Sequence, residues 1–252
     1  MTDAAAARAR VRARALRRVE NARLAALAGT DSRAATEALL SGLRAQGFGP
    51  RALGRFVYDA TCRSILEARK RPVAVVEATA IHLAIGALAH PHGRAWLATS
   101  WLMTVTHLGM LEQRRTLGLP NLLTVARAAL PATAHRLGIR SSSTMMYGHV
   151  LALATDFVDG KLARRTGTVT RFGTQGDYLA DAALWTWFTL RYESSRAWQV
   201  ATFAAWAIPV GALTVASFAR GGMVDLPRSR WIRPAAVMEV LIGVRLVQSR
   251  RR

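Results

Sequence analysis

Cysteine is nearly absent: Cys62 stands alone among 252 residues, which excludes an internal disulfide framework and any cysteine-built zinc site. Acidic residues are scarce as well, 15 Asp and Glu against 35 Lys and Arg, and the formal charge is +20. A cationic surplus of this size suits nucleic acid, or it suits the cytoplasmic loops of an inner-membrane protein lying against anionic lipid. No nucleic-acid-binding motif accompanies the charge, so the membrane reading is preferred and no nucleic-acid partner is expected. The N-terminus is rich in Ala and Arg with no early apolar core, so no signal peptide is expected. The six histidines are scattered; His90 and His92 flank Pro91 in a short connection that suits a capped turn better than a metal pair.

Half of the residues are apolar, 51%, and they gather into segments separated by short Arg-rich loops. That pattern predicts an all-α, integral-membrane helical bundle of about six transmembrane helices, at 73–89, 95–111, 119–137, 145–159, 173–190 and 197–219. Residues 1–72 read as a basic cytoplasmic or interfacial helical arm, with Arg8, Arg10, Arg12 and Arg14 interleaved with Ala, and residues 73–252 as the membrane domain. Breaks at Gly29-Thr30-Asp31-Ser32 and Gly47-Phe48-Gly49-Pro50 divide the arm into helical pieces. Pro120 suits a first helical turn, and Pro131 is expected to kink the third span. The apolar stretch 234–247 is short and interrupted by Glu239 and Arg245. A crossing there would carry the C-terminal arginines outside, so an interfacial or re-entrant helix is expected, with both termini cytoplasmic.

Chemistry concentrates between residues 156 and 181. Asp156 and Asp159, at i and i+3, share one helix face; Asp177 and Asp181, at i and i+4, share a face of the next helix. An acidic residue at bilayer depth costs roughly 2.5–3.5 kcal/mol on insertion scales, so a compensating cation is expected. Oxygen-only ligands favour Mg²⁺, Mn²⁺ or Ca²⁺ over zinc, and carboxylates on two facing helices can hold a pair of such ions about 3.5–4 Å apart. Gly160, Ala163 and Gly173 are small enough either for close helix packing or for close approach of a ligand, and Arg164 can make a bidentate contact with phosphate. Asn121, Thr124 and Arg127, at i, i+3 and i+6, present polar groups at a depth where they serve either helix-to-helix hydrogen bonds or a site.

The pattern D-x2-D-G-x2-A-R-x8-G-x3-D-x3-D, from Asp156 to Asp181, resembles the signature of the CDP-alcohol phosphatidyltransferase family at every position. Pro120-Asn121-Leu122-Leu123-Thr124-Val125-Ala126-Arg127 is similar to the opening of that family's first core membrane helix, and the resemblance covers about 119–190. It implies transfer of a phosphatidyl group from a CDP-linked lipid such as CDP-diacylglycerol to an acceptor hydroxyl, with release of CMP, in phospholipid synthesis. It further implies two divalent cations, Mg²⁺ or Mn²⁺, held by Asp156, Asp159, Asp177 and Asp181, with Asp181 also the general base. Gly160, Ala163, Arg164, Gly173, Asn121 and Thr124 would lie around the CDP, Arg171 by the acceptor, and Arg127 by the acceptor or a carboxylate. Val169-Thr170 ahead of Gly173 resembles the glycerol 3-phosphate branch, with inositol phosphate the next acceptor. The active site is expected to face the cytosol from the inner membrane, in a homodimer by analogy. The rival reading is a non-enzymatic transporter or scaffold that binds or passes cations at the acidic cluster.

Overall fold

The computed structural model describes residues 31–89, 91–133, 160–224 and 233–248, with a few positions before residue 30. Regular structure among them is helical throughout. Helix α1 (Ser32–Ala45) starts where the sequence breaks: the Asp31 carboxylate caps it, accepting from the backbone N–H of Arg33 and Ala34 at 2.7 and 3.0 Å. Those two bonds, Ala34 first, hold the Asp31 carboxyl below its usual range. The chain then reverses at Gly47 and Phe48, both with positive φ (66° and 57°), and Pro50 opens α2 (Pro50–Lys70).

Only Arg71 separates α2 from α3 (Pro72–Ala87), and this residue ties the arm to the bundle. Its guanidinium pairs with Glu67 and donates to the carbonyls of Glu112 and, at 3.1 Å, Arg114. Glu67 also accepts from Lys70 at 2.8 Å. Burial alone would raise the Glu67 pKa; hydrogen bonds from Lys70 and Arg71 outweigh it and hold the carboxyl low.

Helices α3 and α4 (Arg94–Thr106) form a hairpin, joined across by His82 Nε2 to Ser100 Oγ at 3.0 Å and by Trp101 Nε1 donating to Thr79 Oγ1 at 3.1 Å. A Cβ on Gly93 would run into the Ala132 carbonyl, so only glycine lets the hairpin turn meet the end of α5 (Gly118–Ala129). Helix α5 stops near Pro131, whose ring and missing N–H suit a tight 3-10 turn at Leu130–Thr133 in place of the expected kink. The segment expected as a span at 95–111 is therefore a short α-helix followed by a 3-10 turn, and the described part of the one expected at 119–137, up to Thr133, has the same form.

Helices α6 (Arg171–Tyr192), α7 (Arg196–Arg220) and α8 (Arg233–Gln248) follow later in the chain. Helix α7 is long and apolar enough to cross a membrane, and α3 is a shorter apolar helix. Val76, Leu83, Val200, Phe203, Ile208, Val215 and Val240 point outward from α3, α7 and α8, a distribution suited to lipid rather than water.

Helix α8 packs against α6 and α7. Ala235 and Ile242 are buried in a core with Leu184, Trp185 and Phe188 of α6 and Trp206 of α7. Arg245, which reads in sequence as an interruption, has its Nε 2.6 Å from Glu193 Oε2, at the C-terminal end of α6, and its guanidinium 4.9 Å from the Trp198 ring centre. The C-terminal end of α8 thus lies beside the start of α7, so the two helices run in opposite directions. A second core, Ala74 and Ala78 of α3 with Leu108, Leu111, Leu117, Val125 and Phe172, fastens the hairpin to α5 and α6. Between these two cores, α5 and α6 make the most extensive helix pair among the described residues.

Candidate active site

The α5–α6 pair is parallel and in register. Asn121 lies against Gly173, Thr124 against Gly176, and Arg127 against Asp177 and Asp181, so the offset between partners is nearly constant. Glycine allows the approach at its N-terminal end: a Cβ on Gly173 would sit 2.6 Å from Asn121 Oδ1, and one on Gly176 would sit 3.6 Å from Thr124 Cγ2. Asn121 is buried and donates from Nδ2 to the Leu117 carbonyl at 2.7 Å, with Thr170 Oγ1 3.4 Å away. Thr124, also buried, donates from Oγ1 to the Pro120 carbonyl at 3.2 Å. Thr170 in turn caps α6, its hydroxyl accepting from the Gly173 N–H at 3.0 Å. The threonine ahead of the apolar-periodic run was a readable N-cap signal for this residue.

Deeper along the pair, the Arg127 guanidinium meets two carboxylates through different nitrogens. Nη2 pairs with Asp177, and Nε is 2.9 Å from Asp181 Oδ1. The Arg127 side chain is 1% exposed, Asp181 14% and Asp177 39%, so the open side of the cluster is at Asp177. Carboxylates, one of the two partners open to Arg127 in sequence, are thus in contact with it. Arginine keeps its proton under all ordinary conditions, and its planar fork can serve two oxygens at once.

The first two aspartates of the signature, Asp156 and Asp159, lie outside the described residues, as does the expected span at 145–159. The described chain resumes at Gly160 in helical residues 160–165. Arg164 is exposed and folds back over Gly160, where a Cβ would be 3.2 Å from its Nη1; Ala163 is half-buried on the same turn. Arg171 contacts two other acidic side chains: its Nε is 3.1 Å from Glu112 Oε1 and its Nη1 3.9 Å from Asp31 Oδ1. The arm helix α1 is thereby tied to the start of α6, a contact with no local sequence signal.

A cavity of about 750 Å³ lies between α4, α5 and α6, lined by Trp96, Met103, Thr124, Phe172, Leu179 and Ala183 among others. It does not coincide with the acidic cluster. At about 100° per residue, Gln175, Leu179 and Ala183 fall on the opposite side of α6 from Asp177 and Asp181.

Comparison with known proteins points to the family that the sequence resembles. Residues 117–249, just over half of the chain, match the model of the CDP-alcohol phosphatidyltransferase family. A segment of 70 residues is 46% identical to a CDP-diacylglycerol--glycerol-3-phosphate 3-phosphatidyltransferase of Rickettsia bellii (strain RML369-C), covering 26% of this chain and 39% of that relative. The chain thus spans about two fifths of that relative's length. No solved structure matches significantly. With Asn121, Arg127, Gly173, Asp177 and Asp181 all inside the matched region and joined across one helix pair, the chain belongs to the CDP-alcohol phosphatidyltransferase family.

Proposed function

We propose that this chain is a membrane transferase that moves a phosphatidyl group from a CDP-linked lipid, CDP-diacylglycerol or a close analogue, to a small hydroxyl acceptor, releasing CMP. The observation that carries the reading is the convergence of Asp177 and Asp181 on one buried guanidinium within the family-matched segment. Two oxygen donors one turn apart, open to the outside at Asp177, suit a hard divalent ion such as Mg²⁺ or Mn²⁺. Among the described residues no cluster of three or more His, Cys, Asp or Glu side chains forms, so Asp156 and Asp159 are proposed to complete the donor set. Bound there, two such ions would neutralise the diphosphate and stabilise the charge that gathers on the departing CMP.

The chain's own groups then have separable tasks. Asp181, the less exposed of the pair, is proposed to take the proton from the acceptor hydroxyl, with Arg127 fixing the direction of its carboxylate. Arg164, exposed beside Gly160 and Ala163, is proposed to make a bidentate contact with a phosphate of the donor. The Asn121–Gly173 contact sets how closely α5 approaches α6, and with Thr124 is proposed to set the width of the nucleotide cleft. Arg171, engaged by Glu112 and Asp31, is better suited to anchoring the arm than to holding an acceptor. We place residues 1–72 at the cytosolic face of the inner membrane and the reaction at the same face.

Glycerol 3-phosphate is the acceptor we favour, ahead of inositol phosphate, on the Val169-Thr170 sequence and on the activity named for the Rickettsia relative. The test is CMP release from CDP-diacylglycerol with Mg²⁺ or Mn²⁺ across glycerol 3-phosphate, inositol phosphate, inositol and serine. Fastest release is expected with glycerol 3-phosphate; release with none of the four contradicts the proposal.

A further inference from the structure

Arg127 stands where an incoming cation would have to work. It is 1% exposed, contacts both Asp177 and Asp181, and has no means of losing its charge. Its helix packs closely on α6 around Gly173 and Gly176. A divalent ion approaching from the exposed side at Asp177 meets carboxylates that are already partly neutralised, and it meets a fixed positive charge behind them.

We propose that Arg127 is a built-in counter-ion that keeps divalent cation binding at Asp177 and Asp181 weak until an anionic donor is present. The donor's diphosphate would add negative charge opposite the guanidinium and offset its repulsion of the incoming ion. Cation and donor then bind as a coupled pair, and by linkage each tightens the other by the same factor. The benefit is chemical: an acidic cluster at membrane depth stays neutralised between turnovers, and ions are drawn in only with the group they act on. This inference rests on the transferase reading above and deepens it.

The test measures Mn²⁺ affinity directly, by electron paramagnetic resonance of the full chain in lipid nanodiscs, with and without CDP-diacylglycerol in the bilayer. In the unaltered protein the donor is expected to tighten Mn²⁺ binding by about tenfold or more, the scale typical of coupling between sites. In Arg127→Gln, Mn²⁺ is expected to bind more tightly without donor, and the donor is expected to add little. Arg127→Lys keeps the charge and is expected to retain most of the coupling. Weaker Mn²⁺ binding in Arg127→Gln both with and without donor would mean that Arg127 only shapes the site, and would overturn the proposal. If that variant does not fold, the unaltered protein and Arg127→Lys decide: a donor effect near onefold in both overturns it, and strong coupling in both supports it. CMP release by the unaltered protein without any coupling sinks this inference alone, whereas no CMP release with any acceptor sinks the transferase reading.

Discussion

Substituting Gly173 by alanine tests how the helix pair is built. The new Cβ would lie 2.6 Å from Asn121 Oδ1, about 0.8 Å inside ordinary contact. Two responses are open. Asn121 can rotate away, at the cost of its bonds to the Leu117 carbonyl and to Thr170, worth about 0.5–1.5 kcal/mol each. Alternatively α6 can move off α5, an overpacking cost of about 1–3 kcal/mol that also shifts Asp177 and Asp181 relative to Arg127. Either route gives a destabilisation of about 1–3 kcal/mol, accompanied by lost CMP release. Asn121→Ala removes the obstructing oxygen, so the double variant should be less destabilised than the sum of the singles, with a coupling of about 1 kcal/mol or more. The assay is a double-mutant cycle on thermal unfolding of the detergent-solubilised chain, run beside CMP release. Additive stabilities, with Gly173→Ala losing donor affinity alone, would refute the reasoning and mean that the glycine makes room for nucleotide rather than for Asn121.

Other outcomes follow from the same contacts. Arg71→Met breaks the pairing with Glu67 and frees the 112–114 turn; the expected loss is roughly 1–3 kcal/mol, below that of a fully buried pair because half-exposed Lys70 still serves Glu67. Hydrogen exchange in α2 should rise with it. Glu67 has its pKa lowered in the fold, so its contribution is fully present above the ordinary glutamate value of 4.5 and disappears as pH falls through the lower folded value. Glu67→Gln should flatten that acid-side loss of stability, and an unchanged pH profile would contradict it. Helix α8 can be placed by labelling: in a Cys62→Ser, Gln248→Cys chain, a membrane-impermeant thiol reagent should react from the side opposite α1. Reaction from the cytosolic side would support the interfacial reading of 234–247 instead.

Local signals in the sequence were reliable where the structure depends on neighbours in the chain. Asp31 caps α1 and the Gly47–Pro50 break reverses the chain, because caps and positive-φ turns are written in a few adjacent residues. The grouping of Asp177 with Asp181 on one face of α6 likewise follows from helical periodicity, and both meet one guanidinium. What sequence could not supply is the identity of distant partners. Arg245 reads as an interruption of the apolar stretch 234–247, and its partner Glu193 stands 52 positions earlier, while α8 packs against α6 and α7. The contacts of Arg171 with Glu112 and Asp31 likewise join residues far apart in the chain. The breaks at His107 and Leu130, where α-helix gives way to a 3-10 turn, depend on how the hairpin meets residues 130–133.

The central claim is that Asp177 and Asp181 serve phosphatidyl transfer from a CDP-linked lipid. Its most direct test is the initial rate of CMP release from CDP-diacylglycerol with glycerol 3-phosphate and Mg²⁺, compared among the unaltered chain, Asp177→Asn and Asp181→Asn. The account expects both variants to lose at least about 100-fold in rate, the lower end for removing a general base or an electrostatic contact made in the transition state. Turnover at the unaltered rate in either folded variant would contradict it.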